Sequence, residues 1–264
     1  MCLFQLNNFC YNNVMSENLI YKSDRTISSA YLDSSVRLGV AQAVLMIQDN
    51  LTECFNMMNC DGIMYKERYN AFWVFTKTKV HFFRHAAWRE NITAATFPID
   101  NCGMRSHINT VLAGADGEKI AVANQEACVL DFERHRPVKI TDLDYPKEGF
   151  PEAVYNEPFQ RFPSDFSEDE FVYEHTVRSQ QIDLSHHLNN IEYIKLALNC
   201  FSEEVLLTRE VSDLEMHYTG ESKEGQVLRI FKKETDEGYF FRIFEVSSGE
   251  KPRSVFEMML KFYD

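Results

Sequence analysis

The sequence predicts an α+β protein made of two copies of one unit, a long helix followed by antiparallel strands. Residues 36–57 place Val40, Ala43, Val44, Ile47, Leu51, Cys54 and Phe55 at spacings of three and four with no internal proline, the period of a helix with one buried face. Beyond Asp61-Gly62 the apolar period drops to two. The same order, helix then strands, returns after residue 170.

In the first copy, residues 71–83, 92–98, 104–112 and 120–130 are strand-like, rich in Phe, Val, Ile, Thr and Trp. Ala115-Asp116-Gly117 supplies a hairpin turn between the last two. Residues 141–169 hold four of the seven prolines, excess acid and no period, the composition of a linker. The second copy then reads as a strand at 171–177, a helix from 190 to about 206, and strands at 212–218, 226–232, 238–246 and 255–262. The expected division is a first domain over 1–140, an acidic linker over 141–169 and a second domain over 170–264. Residues 1–14 lack charge and pattern and read as an extension, with Met15 opening the domain proper.

Composition narrows the partners. At 264 residues with 45 % hydrophobic content, the chain can build one large or two ordinary cores. No apolar run approaches the roughly 20 residues that span a bilayer, and the N-terminus lacks the basic region of a signal peptide, so a cytoplasmic location is expected. The seven cysteines form no C-x-x-C pair, which points to reduced thiols rather than a zinc ribbon or disulfide framework. The net charge of −13 lies entirely beyond residue 140, since residues 1–140 balance 14 basic against 14 acidic side chains. Nucleic acid is thereby disfavoured as a partner. An acidic partner would choose the first half, with Lys77, Lys79, Arg84, Arg89, Arg134, Arg136 and Lys139.

The chemistry concentrates in residues 178–198, RSQQIDLSHHLNNIEYIKLAL. Asp183, Ser185, His186, His187, Asn189 and Asn190 crowd ahead of an apolar helical face formed by Ile191, Ile194, Ala197 and Leu198. A helix N-terminus presents unpaired N–H groups and the positive end of its dipole, which favour a developing oxyanion. A cap alone needs one polar side chain; this segment supplies a carboxylate, a hydroxyl, two imidazoles and two amides. The first copy aligns here without a gap: Asp33 falls on Asp183, Ser35 on Ser185 and Leu38 on Leu188, while Arg37 stands at the His187 position. Only the second copy keeps the titratable imidazole, so one active centre per chain is expected.

These residues resemble the acyl–acyl carrier protein thioesterase family, whose members are tandem hotdog domains, each a long helix wrapped by an antiparallel sheet. The family's D-x-N-x-H-x-N-N motif appears as Asp183 to Asn190, its Y-x-x-E-C strand end as Tyr218 to Ser222, and its L-D-x-x-x-x-R-P segment as Leu130 to Pro137. The resemblance covers nearly the whole chain. It implies that Asp183, His187 and Glu221 belong to the catalytic group, with Ser185 in place of the family's Asn. Asn189, Asn190 and Ser222 are expected to contact substrate, with the N–H groups around Asn189 and Asn190, together with Ser185, binding the oxyanion. Ser222 replaces the family's Cys and lacks its ready thiolate, so water attack assisted by Glu221 and His187 is the expected mechanism. The bland readings are a solvated turn for Glu221 and a helix cap for Asp183.

The resemblance implies acyl carrier protein as the partner carrying the substrate, no cofactor, and a monomer or homodimer. Acyl-coenzyme A hydrolysis and acyl binding without turnover are the alternatives. Phe72, Trp73, Phe75, Phe82, Phe83 and Trp88 are expected to line an acyl slot beside the first helix, or simply to fill the core. No metal is expected: His175, His186 and His187 sit on extended or turning chain, and His81 and His85 fall at a strand end.

Overall fold

The computed structural model describes residues 18–249 and 251–263, so the expected extension over residues 1–14 and the start at Met15 lie outside the described residues. The described residues form two compact units, divided between Pro158 and Phe159.

In the first unit, β1 (Tyr21–Thr26) precedes helix α1 (Val40–Met57), a short helix α2 (Gly62–Tyr69), and strands β2 (Ala71–Phe82), β3 (Asn91–Pro98), β4 (Ser106–Gly114) and β5 (Lys119–Asp131). The sheet order is β1-β3-β4-β5-β2, and every pairing is antiparallel. A two-residue strand, β6 (Pro137–Val138), pairs with β5. Helix α1 buries Val40, Ala43, Val44, Ile47, Leu51, Cys54 and Phe55, the face its period predicts. One end of that face meets Cys60, Tyr65, Trp73 and Tyr145, and the Phe55 and Trp73 rings lie 4.4 Å apart. Each such buried side chain contributes roughly 1.5–3 kcal/mol of transfer free energy.

Two elements differ from the sequence expectation. Helix α1 starts at Val40 rather than Val36, because Leu38 N–H donates to Ala86 O (2.8 Å) and Val36 adopts φ 61°. Helix α2 escaped detection because it is short and mostly polar, although its cap was visible: the Asp61 side chain accepts from Met64 N–H at 2.9 Å.

In the second unit, β7 (Phe171–Thr176) leads to helix α3 (Asn190–Leu198), helix α4 (Glu203–Thr208), then β8 (Val211–Tyr218), β9 (Val227–Thr235), β10 (Gly238–Glu245) and β11 (Arg253–Phe262). The antiparallel order is β8-β11-β10-β9-β7. The single helix expected to run to about residue 206 is two. The chain tightens at its end, where Cys200 N–H reaches Ala197 O and Phe201 N–H reaches Leu198 O, and Ser202 recaps the next helix through Val205 N–H.

Residues 141–169 are largely irregular but anchored. Leu143 and Tyr145 are buried in the first core, while Val154 and Tyr155 N–H both donate to Asn109 Oδ1. Farther on, Phe162 stacks on His217 at 4.2 Å, and Gln160 N–H donates to Glu215.

The loop before each long helix is built the same way in both units. Asp33 N–H donates to Arg37 O (3.0 Å), as Asp183 N–H does to His187 O (3.0 Å). Asp33 Oδ1 accepts from Ser35 N–H (2.9 Å), as Asp183 Oδ1 does from Ser185 N–H (2.8 Å). Val36 and His186 both sit at φ 61°. The two loops thus match in left-handed residue and in these backbone donors.

A β-branched residue at positive φ is strained, by about 1 kcal/mol or more, whereas asparagine tolerates that region. Val36 is also 53 % exposed, so its side chain forfeits little on replacement. Val36→Asn should raise stability by about 1 kcal/mol in urea unfolding; an unchanged or lowered midpoint would show that the loop carries no such strain.

Candidate active site

The second unit brings His187 and Glu221 together. His187 comes from the loop before α3 and Glu221 from the β8–β9 connection, and Nε2 of one lies 3.0 Å from Oε2 of the other. Their side chains are 25 % and 48 % exposed, so water reaches both groups.

This proximity is enforced by the backbone on either side. Leu188 N–H, next to His187, donates to the carbonyl of Ser222, next to Glu221, at 2.7 Å. Arg253 Nη2 donates to Glu221 O at 2.8 Å, and Thr219 and Gly220 N–H both donate to Val255 O on β11. Gly225 N–H closes the far end of the connection on Val177 O.

Ser222 points inward. It is fully buried, and its Oγ accepts from Tyr193 O–H at 2.8 Å. Burial pushes the Tyr193 phenol up to about 12, so it keeps its proton and remains a donor at neutral pH. Tyr193 in turn stacks on Phe256, with centroids 5.3 Å apart. The hydroxyl expected to contact substrate is therefore engaged in the core beneath Glu221.

The other predicted residues divide by role in the loop. Asp183 forms the turn described above, the part Asp33 plays where no imidazole exists. Ser185 is exposed on that turn. Asn189 caps α3 through Ile191 N–H (2.9 Å), and its own N–H donates to Gln181 O (2.9 Å). Asn190 is the first residue of α3, and its N–H has no partner among the described residues. Gln181, Tyr193 and Arg253 were missed from sequence. Gln181 bonds His175, Arg178 N–H and Glu192, tying the loop to the first turn of α3. Its signal in sequence is no stronger than that of any polar loop residue.

The aromatics expected along α1 scatter. Trp73 and Phe75 pack on Phe55, Phe82 is buried, Phe72 packs on Phe132, and Phe83 and Trp88 are each 47 % exposed. The expected six-residue slot is therefore not assembled as a set. The basic residues also divide. Lys79 is buried against Glu157, Arg84 pairs with Glu90 and Lys77 lies 3.9 Å from Glu126, while Arg134, Arg136 and Lys139 are exposed.

Comparison with known proteins identifies the family. Residues 18–146 match the family model of the acyl-ACP thioesterase N-terminal domain, and residues 165–256 match that of the C-terminal domain. The chain belongs to the acyl-ACP thioesterase family. Members of this family hydrolyse fatty acyl–acyl carrier protein thioesters. The fold of this thioesterase is similar to that of a Bacteroides thetaiotaomicron acyl-ACP thioesterase, with a TM-score of 0.82 at 19 % identity over 94 % of this chain and 99 % of that one. It is also similar to a 12:0-ACP thioesterase from Umbellularia californica, with a TM-score of 0.79 at 12 % identity over 93 % and 97 %. Both likenesses support the α+β hotdog architecture. No curated protein matches the sequence. Among the described residues of this thioesterase, no helix is long and apolar enough to cross a membrane.

Since Asp183 shapes the loop through an acceptor oxygen, an amide can replace it. Asp183→Asn should retain turnover within a few-fold, whereas Asp183→Ala should lose most of it together with thermal stability. Equal losses in both variants would show that the charge, not the turn, is what matters.

Proposed function

We propose that this thioesterase releases free fatty acid from acyl carrier protein by water attack at the His187–Glu221 pair. The observation that carries this reading is their 3.0 Å approach at a solvent-open helix N-terminus. Water held between substrate and Glu221 adds to the thioester carbon as the carboxylate takes its proton. The carbonyl oxygen gains negative charge, and Asn190 N–H at the positive end of α3 is the donor best placed in the helix to meet it. Asn189 N–H, also expected to serve there, is already committed to Gln181 O. As the C–S bond breaks, the proton passes through His187 to the leaving thiolate. The products are the fatty acid and the carrier protein thiol.

A cysteine nucleophile is not needed in this scheme. Ser222 acts beneath the site: its carbonyl holds the α3 loop and its hydroxyl fixes the connection that bears Glu221. Asp183 positions the loop and does not touch the reacting atoms.

The test is hydrolysis of an acyl–acyl carrier protein substrate followed by thiol release. Glu221→Gln should lower kcat by about 10²–10⁴ with the circular dichroism spectrum unchanged. Near-normal turnover in that variant would remove Glu221 from the mechanism. His187→Ala should likewise act on kcat; an effect confined to KM would reduce His187 to a binding role. Ser222→Ala leaves the buried Tyr193 hydroxyl without its acceptor and should cost about 1–3 kcal/mol of stability while turnover persists below the melting temperature.

A further inference from the structure

The β3–β4 connection of the first unit carries a cluster that thioester hydrolysis does not use. Asp100, Cys102 and His107 each offer one donor atom, and the three atoms all lie within 4.8 Å of one another. Asp100 Oδ2 is 2.7 Å from His107 Nδ1, and Asp100 Oδ1 accepts from His107 N–H at 2.8 Å.

The turn that gathers them is built by its own backbone. Ile99 N–H donates to His107 O and Cys102 N–H to Arg105 O, both at 2.8 Å. Gly103 adopts φ +80°, a conformation open to a residue without a side chain, and its N–H donates to Asn101 Oδ1. The chain therefore doubles back and returns the Cys102 thiol to the face that holds Asp100 and His107.

A second carboxylate stands behind the imidazole. Glu126 on β5 is buried, and its Oε2 lies 3.7 Å from His107 Nε2. Thr76 Oγ1 donates to Glu126 Oε1 at 2.7 Å and Arg105 Nη1 to Oε2 at 3.1 Å, which holds that carboxylate in place.

We propose that Asp100, Cys102 and His107 bind one borderline-soft divalent cation of the zinc type, with solvent completing the coordination. The donor set decides the class of ion. Magnesium and calcium take oxygen ligands, whereas one thiolate, one imidazole and one carboxylate are zinc ligands. Glu126 stands where a carboxylate behind a metal-bound histidine belongs, facing the ring nitrogen opposite the one beside Asp100. Cys102 is exposed and Asp100 and His107 are partly so, which leaves an entry path. Around a tetrahedral ion with bonds of about 2.0–2.3 Å, donors stand roughly 3.3–3.7 Å apart, so the 2.7 Å Asp100–His107 pair opens to admit the ion while separations of up to 4.8 Å close around it. Cys102 and His107 release their protons to solvent as they coordinate. With no ion bound, Asp100 and His107 form the ion pair described above. The sequence expectation of no metal weighed other histidines; only the hairpin brings this trio together.

Titration of the metal-free, reduced full-length protein with Co²⁺, a spectroscopic substitute for zinc, tests the site. The expected result is a thiolate-to-cobalt charge-transfer absorption that saturates at one equivalent and is displaced by Zn²⁺. It should be absent in Cys102→Ser and in His107→Gln and preserved in Cys128→Ser. Cys102 lies at the surface, so Cys102→Ser should melt like the metal-free wild type, and Zn²⁺ should raise the melting temperature of the wild type but not that of Cys102→Ser. The proposal is overturned if no such band forms, or if the band survives Cys102→Ser unchanged.

Discussion

One backbone hydrogen bond, from Leu188 N–H to Ser222 O, holds the candidate site together. It joins the residue after His187 to the residue after Glu221, so the imidazole and carboxylate have little freedom to separate. A single bond of this kind contributes only about 0.5–1.5 kcal/mol net. Ordering one loop residue costs about 1–2 kcal/mol. The 219–226 connection is therefore held at several points: Thr219 and Gly220 on β11, Glu221 O on Arg253, Ser222 on Tyr193, and Gly225 on Val177.

The two units separate scaffold from chemistry. In both, an aspartate turns the loop, the residue three positions on takes a left-handed conformation, and a leucine N–H docks on a connection between strands. In the first unit that docking partner is Ala86 O, and Arg37 stands where the second unit has His187. The aspartate and the docking bond are thus requirements of the loop itself. In the proposed mechanism, catalytic capacity rests on two side chains added to it, His187 and Glu221.

Ser222 has a structural role. The side chain at that position lies under the site, fully buried and engaged by Tyr193, and the solvent-open groups are its neighbours. A buried hydroxyl satisfied by a phenol stabilises the connection, whereas the same hydroxyl used as a nucleophile would need a base beside it. In the proposed mechanism the His187–Glu221 pair activates water instead.

The sequence by itself determined the elements whose cause is local. The three-and-four spacing of Val40, Val44, Ile47 and Leu51 places one apolar face on α1, and the alternating strands follow from period two. Asp183, Ser185 and the histidine at 187 announce a polar helix entrance, because caps and turns are made by neighbours in the chain. Only the tertiary structure decided what those groups meet. By local pattern Glu221 reads as a turn residue 34 positions beyond His187; the family motif links the two, but their approach depends on Leu188, Tyr193 and Arg253 acting across strands. The same holds for Asp100, Cys102 and His107, and for the scattered aromatics of β2. Side chains on one strand point to opposite faces, and which partners each face receives is set by sheet order and register, which local pattern does not encode.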